Sequence, residues 1–404
     1  MTTLPQARIF DRATPPHIMT LVLLAGLSAL SMNVFLPSLP GMARYFGADY
    51  AVMQLSVSAY LAVSAALQLG IGPVSDRYGR RPVILGSLVL FALATIGTLF
   101  APTAGWFLAF RMAQAVVVAG MVLSRAVVRD MVPGAQAASM IGYVTMGMSL
   151  VPMIGPIIGG ALDETFGWQA NFSLLLVLAV AVGALVWSDL GETSQRSGAS
   201  FATQMRQYPE LIASPRFWGY CLAATFSSGA FFAYLGGAPF VGDSVFHLSP
   251  SEVGYYFAAP AIGYALGNFI SGRFSVRIGL DRMVLVGSVI CSAALALAMI
   301  ADLAFPPHPL LFFPFVGIMA IGNGLTLPNS NAGMLSVRPA LAGSASGLGG
   351  AMTIGGGAAL SALAGALLKP GSGAMPLLVI MTASAAASVA AILLVIRRNR
   401  RLGL

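Results

Sequence analysis

Apolar residues run along this chain in long unbroken blocks, punctuated by short polar stretches. Twelve such blocks are legible, at about 18–40, 50–71, 82–101, 105–128, 137–161, 168–188, 217–241, 252–272, 283–304, 309–331, 343–368 and 375–396. Each reaches the ~20 residues that, at 1.5 Å per residue, carry a helix across the hydrocarbon core. The blocks are continuously apolar and do not alternate, which excludes a closed β-barrel. One long hydrophilic interval breaks the series, with Ser- and Gly-rich residues 193–200 inside it. It divides the chain into an N-terminal half (1–188), a linker (189–215) and a C-terminal half (216–404). The predicted architecture is an all-α integral membrane protein of twelve transmembrane helices in two six-helix halves.

Composition agrees with the pattern. Hydrophobic residues make up 57% of the 404 residues and charged residues 8%; the mean hydropathy is +0.85. These values lie outside the range of soluble globular proteins. The net charge of +8 does not point to nucleic acid, because the basic residues are segregated. With the amino terminus inside, all but Arg44, Lys369 and Arg111 of the 21 basic residues fall on the cytoplasmic side. That satisfies the positive-inside rule and places both termini in the cytoplasm. Cys221 and Cys291 lie within spans and read as packing residues, not as a disulfide. The first seventeen residues carry no apolar core or cleavage site of a signal peptide, so the first span is expected to act as the membrane signal.

The densest fixed charge falls between the second and third spans, in Gly72-Pro73-Val74-Ser75-Asp76-Arg77-Tyr78-Gly79-Arg80-Arg81-Pro82. It reads as a very short interhelical loop, with Gly72 allowing close helix approach and Gly79 a sharp turn. Asp76 and Arg80 are four apart, so one helical turn brings carboxylate and guanidinium together. The stretch resembles the signature loop of the major facilitator superfamily, roughly G-x-x-x-D-R-x-G-R-[RK], matched by Gly72, Asp76, Arg77, Gly79, Arg80 and Arg81. Two hundred positions later Gly72, Ser75, Arg77 and Gly79 recur as Gly272, Ser275, Arg277 and Gly279. Such an echo fits transporter halves related by an axis along the membrane normal.

Other motifs extend the resemblance. In the fourth span Arg111 and Gln114 match the superfamily's R-x-x-Q context, linked there to proton transfer, although Ala115 stands where a glycine follows in the family. A guanidinium in a span either faces the bundle interior or snorkels to the interface. Arg129 and Asp130 end that span. The resemblance implies that Asp130 meets Arg80 and that Asp76 approaches the start of the eleventh span, latching the halves on the inner side. The fifth span reads GMSLVPMIGPIIGGAL. Its Gly155, Pro156, Gly159 and Gly160, with Pro152 at the leading site, resemble a G-x-x-x-G-P-x-x-G-G signature associated with antiporters. Within the superfamily, the LPSLP ending of the first span and the Arg129-Asp130 pair resemble the bicyclomycin/chloramphenicol-resistance (Bcr/CflA) branch of drug exporters. That branch commonly carries an aspartate where this chain has Asn33.

Candidates for lining a substrate cavity are Asn33, Gln54, Tyr60, Phe231, Tyr234, Tyr256, Asn329 and Asn331. A polar group in a span is costly unless bonded or facing a wet cavity, and aromatic walls suit lipophilic compounds. Helix packing is the competing reading for Asn33, as is lipid contact for the aromatics. Gly343, Gly347, Ala351 and Gly355 share one face of the eleventh span, ready for close contact. The 13 acids all fall at loops or span ends, which leaves no mid-membrane carboxylate to carry a proton or pair with a cation.

The expectation is therefore a secondary multidrug efflux transporter of the bacterial inner membrane, working by alternating access, exchanging small lipophilic drugs for protons. The alternative is a carrier of an ordinary small metabolite, proton-coupled or uncoupled. A monomer in the lipid bilayer is expected, with no cofactor, metal or nucleic acid. No ATP-site motif occurs, and His17, His247 and His308 are too scattered for a catalytic or metal constellation.

Overall fold

Continuous apolar sequence in a bilayer has to satisfy its own backbone, and helices are how this chain does it. A computed structural model describes residues 10–12, 14–131, 134–194, 208–338 and 341–403. Its N-terminal helices are α1 (Ile18–Asn33, continued by a 3-10 turn Leu36–Ser38 and Leu39–Phe46), α2 (Tyr50–Tyr78), α3 (Arg80–Leu99) and α4 (Ala104–Gln114, a 3-10 turn Ala115–Val117, then Val118–Met131). α5 (Gly134–Phe166) and α6 (Gln169–Asp189) complete that half. The C-terminal half holds α7 (Pro215–Ser244), α8 (Ala258–Ile278, preceded by the short helix Pro250–Tyr256), α9 (Leu280–Ala304), α10 (Phe313–Val337), α11 (Ala342–Leu367) and α12 (Met375–Leu402). Among the described residues, ten helices are long and apolar enough to cross a membrane. The other two expected spans, in α5 and α8, are also helical. Large exposed apolar side chains such as Leu93, Val180 and Phe269 present the lipid-facing surface.

Local chemistry sets the ends. Thr103 and Ser214 cap α4 and α7 through their side-chain oxygens, and Ser249 with Glu252 forms a capping box on the short helix before α8. Both cysteines are free and buried. Of the linker, Tyr208–Ile212 forms a short helix, while residues 195–207 lie outside the described residues.

The expected loop over 72–82 is corrected: α2 runs on through Pro73 and Asp76 to Tyr78, and α3 begins at Arg80. The whole connection is Gly79, whose φ of +99° suits glycine alone. Its counterpart Gly279 has φ +91°, and each donates its N–H to the serine four residues back, Ser75 or Ser275, at 2.9 Å. The sequence echo is thus an echo of backbone geometry. The shared turn, not the acid, is what repeats: Val276 replaces Asp76.

Within each half the helices pack extensively, α1 against α4, α5 and α6, and α7 against α10, α11 and α12. Between halves, α2 packs on α11, and α5 on α8 with its short preceding helix. The closest approaches use glycine. A Cβ added at Gly159 would land on the Val34 carbonyl of α1, one at Gly160 on the Pro250 carbonyl, and one at Gly254 on the Pro156 carbonyl. The small face of α11 differs from expectation. Gly347 and Gly355 meet nothing within 4 Å, whereas Gly356 and Gly357 are pressed against Thr225 and Phe232.

Gly159→Ala should therefore lower stability by about 1–3 kcal/mol through overpacking. Gly347→Ala, into open space within a helix, should be neutral or stabilising by up to about 1 kcal/mol. Thermal unfolding midpoints of the two purified variants test the contrast.

Candidate functional site

Two ends of the bundle differ in what joins the halves. One end, rich in arginine, carries Gly79, Gly279 and the start of the linker. Here Arg80 sits between two carboxylates, its guanidinium 2.6 Å from Asp76 on the previous turn and 3.0 Å from Asp130 at the end of α4. It also donates to the Ser75 hydroxyl. All of these partners belong to the N-terminal half. Among the described residues Arg129 joins no ion pair, and its Nε donates to the Arg125 carbonyl at 3.4 Å. Arg77 lies exposed over the Tyr78 ring. Arg81 lies over Trp187 and donates to its carbonyl.

Glu192 was not singled out by the sequence. Its carboxylate accepts the backbone N–H groups of Arg80 at 2.8 Å and Arg81 at 3.2 Å. Gly79 offers no side chain to cap α3, so the first residues of the linker supply the missing acceptor. The signal available was an acid just after a span, opposite a helix that starts at a glycine.

Between the halves at this end opens a polar vestibule of about 590 Å³, lined by Gln68, Gly72, Asp76 and Arg80 on one side and by Asn331, Ser346 and Gly347 on the other. Asp76 and α11 face each other across it, so the inner-side contact expected between them is open in this structure. Asn331 lines the vestibule. Asn329 does not; it is buried and donates to the Ser271 hydroxyl and the Leu325 carbonyl.

The opposite end is closed. One Arg44 guanidinium nitrogen donates to both Asp243 carboxylate oxygens, at 3.0 and 2.9 Å, across the halves, and the Tyr50 hydroxyl donates to the Gly236 carbonyl at 2.7 Å. Gln54, a cavity candidate, instead fastens the halves: its amide donates to the Ser361 carbonyl and hydroxyl at 2.7 and 2.8 Å. The glycine contacts of Gly160 and Gly254 belong to the same seam. Gly155 packs on Leu30, its Cβ position 3.2 Å from a leucine methyl. Pro152 lies in α5, with its side chain outside the described residues.

Inside the N-terminal half, Arg111 is fully buried. Its guanidinium donates to the Ser56 carbonyl (3.2 Å), the Ser31 hydroxyl (3.1 Å) and carbonyl (2.8 Å) and the Gln114 amide oxygen (2.8 Å). The Tyr60 and Phe35 rings face it at 3.9 and 4.6 Å. Gln114 passes the chain on to Thr95 at 2.8 Å. Four helices thus converge on one cation without a carboxylate among its described partners, and Tyr60 belongs to this cluster rather than to a cavity wall. The snorkelling alternative is excluded by this burial. Asn33 packs too: it is buried, its amide donates to the Ala29 carbonyl at 2.7 Å, and its Cβ approaches Gly155.

The C-terminal half holds a second cavity of about 260 Å³ between α7, α8, α10 and α11, walled by Phe231, Phe232, Leu235, Phe257 and Tyr264, with Asn323 and Ser228 as polar points. Among the described residues no charged side chain lines it. Tyr234 is buried behind Phe231 and against Phe257, and Tyr256 stacks on Phe313 at 4.5 Å; neither lines the cavity. Phe232 and Phe257 do, although aromatic residues spaced along an apolar run gave no means of telling wall from filling.

A model of the Major Facilitator Superfamily matches residues 21–249 and again 241–403. The chain belongs to this superfamily. It is a multi-pass membrane transporter of small molecules. Similar superfamily members include an uncharacterised MFS-type transporter, YdgK, of Bacillus subtilis, 32% identical over 75% of this chain and 77% of that one. A bicyclomycin resistance protein homolog of Haemophilus influenzae is 27% identical over 92% and 94% of the two chains. Multidrug resistance protein D of Escherichia coli is 28% identical over 90% and 92%. Among solved structures, a D-xylose-proton symporter superposes with TM-score 0.73 at 15% identity, covering 94% and 96%, which shows the shared fold.

Arg111→Lys keeps a charge but cannot reproduce donors fanned toward Ser31, Ser56 and Gln114. Leaving buried acceptors unpaired costs about 1–3 kcal/mol each. The variant should show a lowered thermal midpoint and lose most transport; retention of both at parental levels contradicts the positioning role drawn from this geometry.

Proposed function

We propose that this chain is a secondary drug exporter of the bacterial inner membrane, carrying neutral lipophilic or amphipathic compounds outward in exchange for protons. The observation that carries the reading is the uncharged aromatic cavity of the C-terminal half, set beside relatives named for multidrug, bicyclomycin and chloramphenicol resistance. A cavity without a carboxylate gives a permanent cation no counter-charge, so neutral compounds are preferred.

In this reading the arginine-rich end faces the cytoplasm, as the positive-inside rule favours, and both termini lie there. Residues 1–188 and 216–404 rock as two bodies about the 189–215 linker, and the chain works as a monomer. The conformation is inward-open: drug enters through the vestibule while the Arg44, Gln54, Gly160 and Gly254 seam shuts the outer side. Rocking closes the vestibule, bringing Asp76 toward α11 and its exposed backbone N–H groups, with Arg80 and Asp130 holding Asp76 in place. Pro156 and Gly160 serve in the outer seal, while Gly155 and Gly159 fit α5 against α1 behind it and Pro152 belongs to the same helix. Arg111 and Gln114 hold α1, α2, α3 and α4 in register during the movement and are the candidates for coupling. Asn33 removes the acid commonly found at its position, so proton exchange in this chain proceeds without it.

Transport in proteoliposomes under an imposed pH gradient tests the proposal, with an amphenicol, a bicyclic peptide and a permanently cationic dye. The expected result is gradient-accelerated flux of the neutral compounds, with Phe231→Ala weakening their apparent affinity about tenfold through lost aromatic burial. Best transport of the cationic dye contradicts the neutral cavity. Acceleration seen only in Asn33→Asp contradicts proton exchange in the parent.

A further inference from the structure

Among the described residues, two cations of the vestibule join no ion pair. Asp76 and Asp130 both turn to Arg80, which leaves Arg125 and Arg129 lining the same space without an ion pair among the described residues. They stand four residues apart on α4, on one face, where like charges repel. The Arg125 Nε is buried and has no hydrogen-bond partner. A buried guanidinium nitrogen in that condition costs free energy that an anionic acceptor would recover.

Across the vestibule the C-terminal half presents neutral donors at an uncrowded surface. Asn331 and Ser346 are exposed side chains lining the space. Gly72, Gly347 and Gly350 line the same space and leave open room, since a Cβ at any of the three would meet nothing within 4 Å. A partly buried guanidinium, an exposed one, an amide and a hydroxyl around a free volume make the donor set that suits a tetrahedral oxyanion.

We propose that the vestibule binds a phosphate group, held by Arg125 and Arg129 from one half and by Asn331 and Ser346 from the other. The group is either a soluble phosphate or the headgroup of an anionic lipid reaching in from the bilayer surface. Bound there, it relieves the repulsion along α4 and bridges the halves at their open end. The site does not depend on which compound the chain exports.

The test measures thermal unfolding of the full chain with two probes. One is inorganic phosphate titrated against chloride at fixed ionic strength in detergent; the other is phosphatidylglycerol added to phosphatidylcholine nanodiscs. At least one probe should raise the midpoint of the parent and of Arg273→Gln, whose exposed arginine lies outside the vestibule. Arg125→Gln/Arg129→Gln should lose that rise, with apparent affinity down about tenfold or more, as expected for losing charge-assisted hydrogen bonds. A response to free phosphate assigns a soluble anion, and a response to phosphatidylglycerol alone assigns a lipid headgroup. Absence of both responses in the parent, or a parental response in the double variant, overturns the proposal. Should the double variant not fold, Asn331→Ala/Ser346→Ala provides the same reading from the opposite half, with an undiminished response overturning the site.

Discussion

Backbone touching backbone at the sealed end is the contact on which the rest of this structure depends. Lipid provides no hydrophobic drive between helices, so close fit has to hold them. Gly160 and Gly254 allow α5 and the short helix before α8 to interlock, each glycine opposite a carbonyl of the other half. Around that seam, Gln54, Tyr50 and Arg44 add directional bonds. The exposed Arg44 contributes little by itself, as surface pairs do. What the seam fixes is distance, and with the far end held shut the two halves diverge toward the arginine-rich end, where the vestibule opens.

The halves share a fold but divide the chemistry. The N-terminal half is built around a buried cation satisfied by carbonyls, an amide and two aromatic faces, a costly arrangement that tolerates little displacement. The C-terminal half holds an uncharged cavity bordered by Phe231, Phe232 and Phe257. In the proposed cycle, a half braced by a buried polar cluster moves against one that carries an apolar pocket, which separates gating from recognition. The repeated Gly79 and Gly279 turns point to a common ancestral backbone, and the different acids nearby record the divergence. Asp281 accepts from Tyr220 and Asn399, whereas Asp76 turns to Arg80.

Apolar block length made the fold legible in the sequence, because each run had one structural solution in a bilayer. The 72–82 segment was legible in chemistry but not in shape. A run of charge looks like a loop, yet Asp76 and Arg80 are satisfied within continuing helices, and one glycine makes the turn. Partners distant in sequence were not legible. Glu192 offered only its place just after a span, and nothing in Arg44 announces Asp243, since such pairings depend on how helices dock. Polar residues in spans were ambiguous for the same reason. Gln54 and Asn329 carry amides that suit a cavity wall and a helix contact equally, and tertiary packing assigned both to contacts.

Accessibility of the two ends is the most direct test of this account. In a chain lacking Cys221 and Cys291, Ser346→Cys reports the vestibule and Ser361→Cys the sealed seam. Labelling by a membrane-impermeant maleimide should be fast at position 346 from the arginine-rich side and slow at 361 in the resting protein. On adding transported substrate the two rates should move in opposite senses, 346 slowing as 361 accelerates. Rates that rise or fall together, or a seam labelled as readily as the vestibule at rest, would contradict two halves that rock between an open vestibule and an open seam.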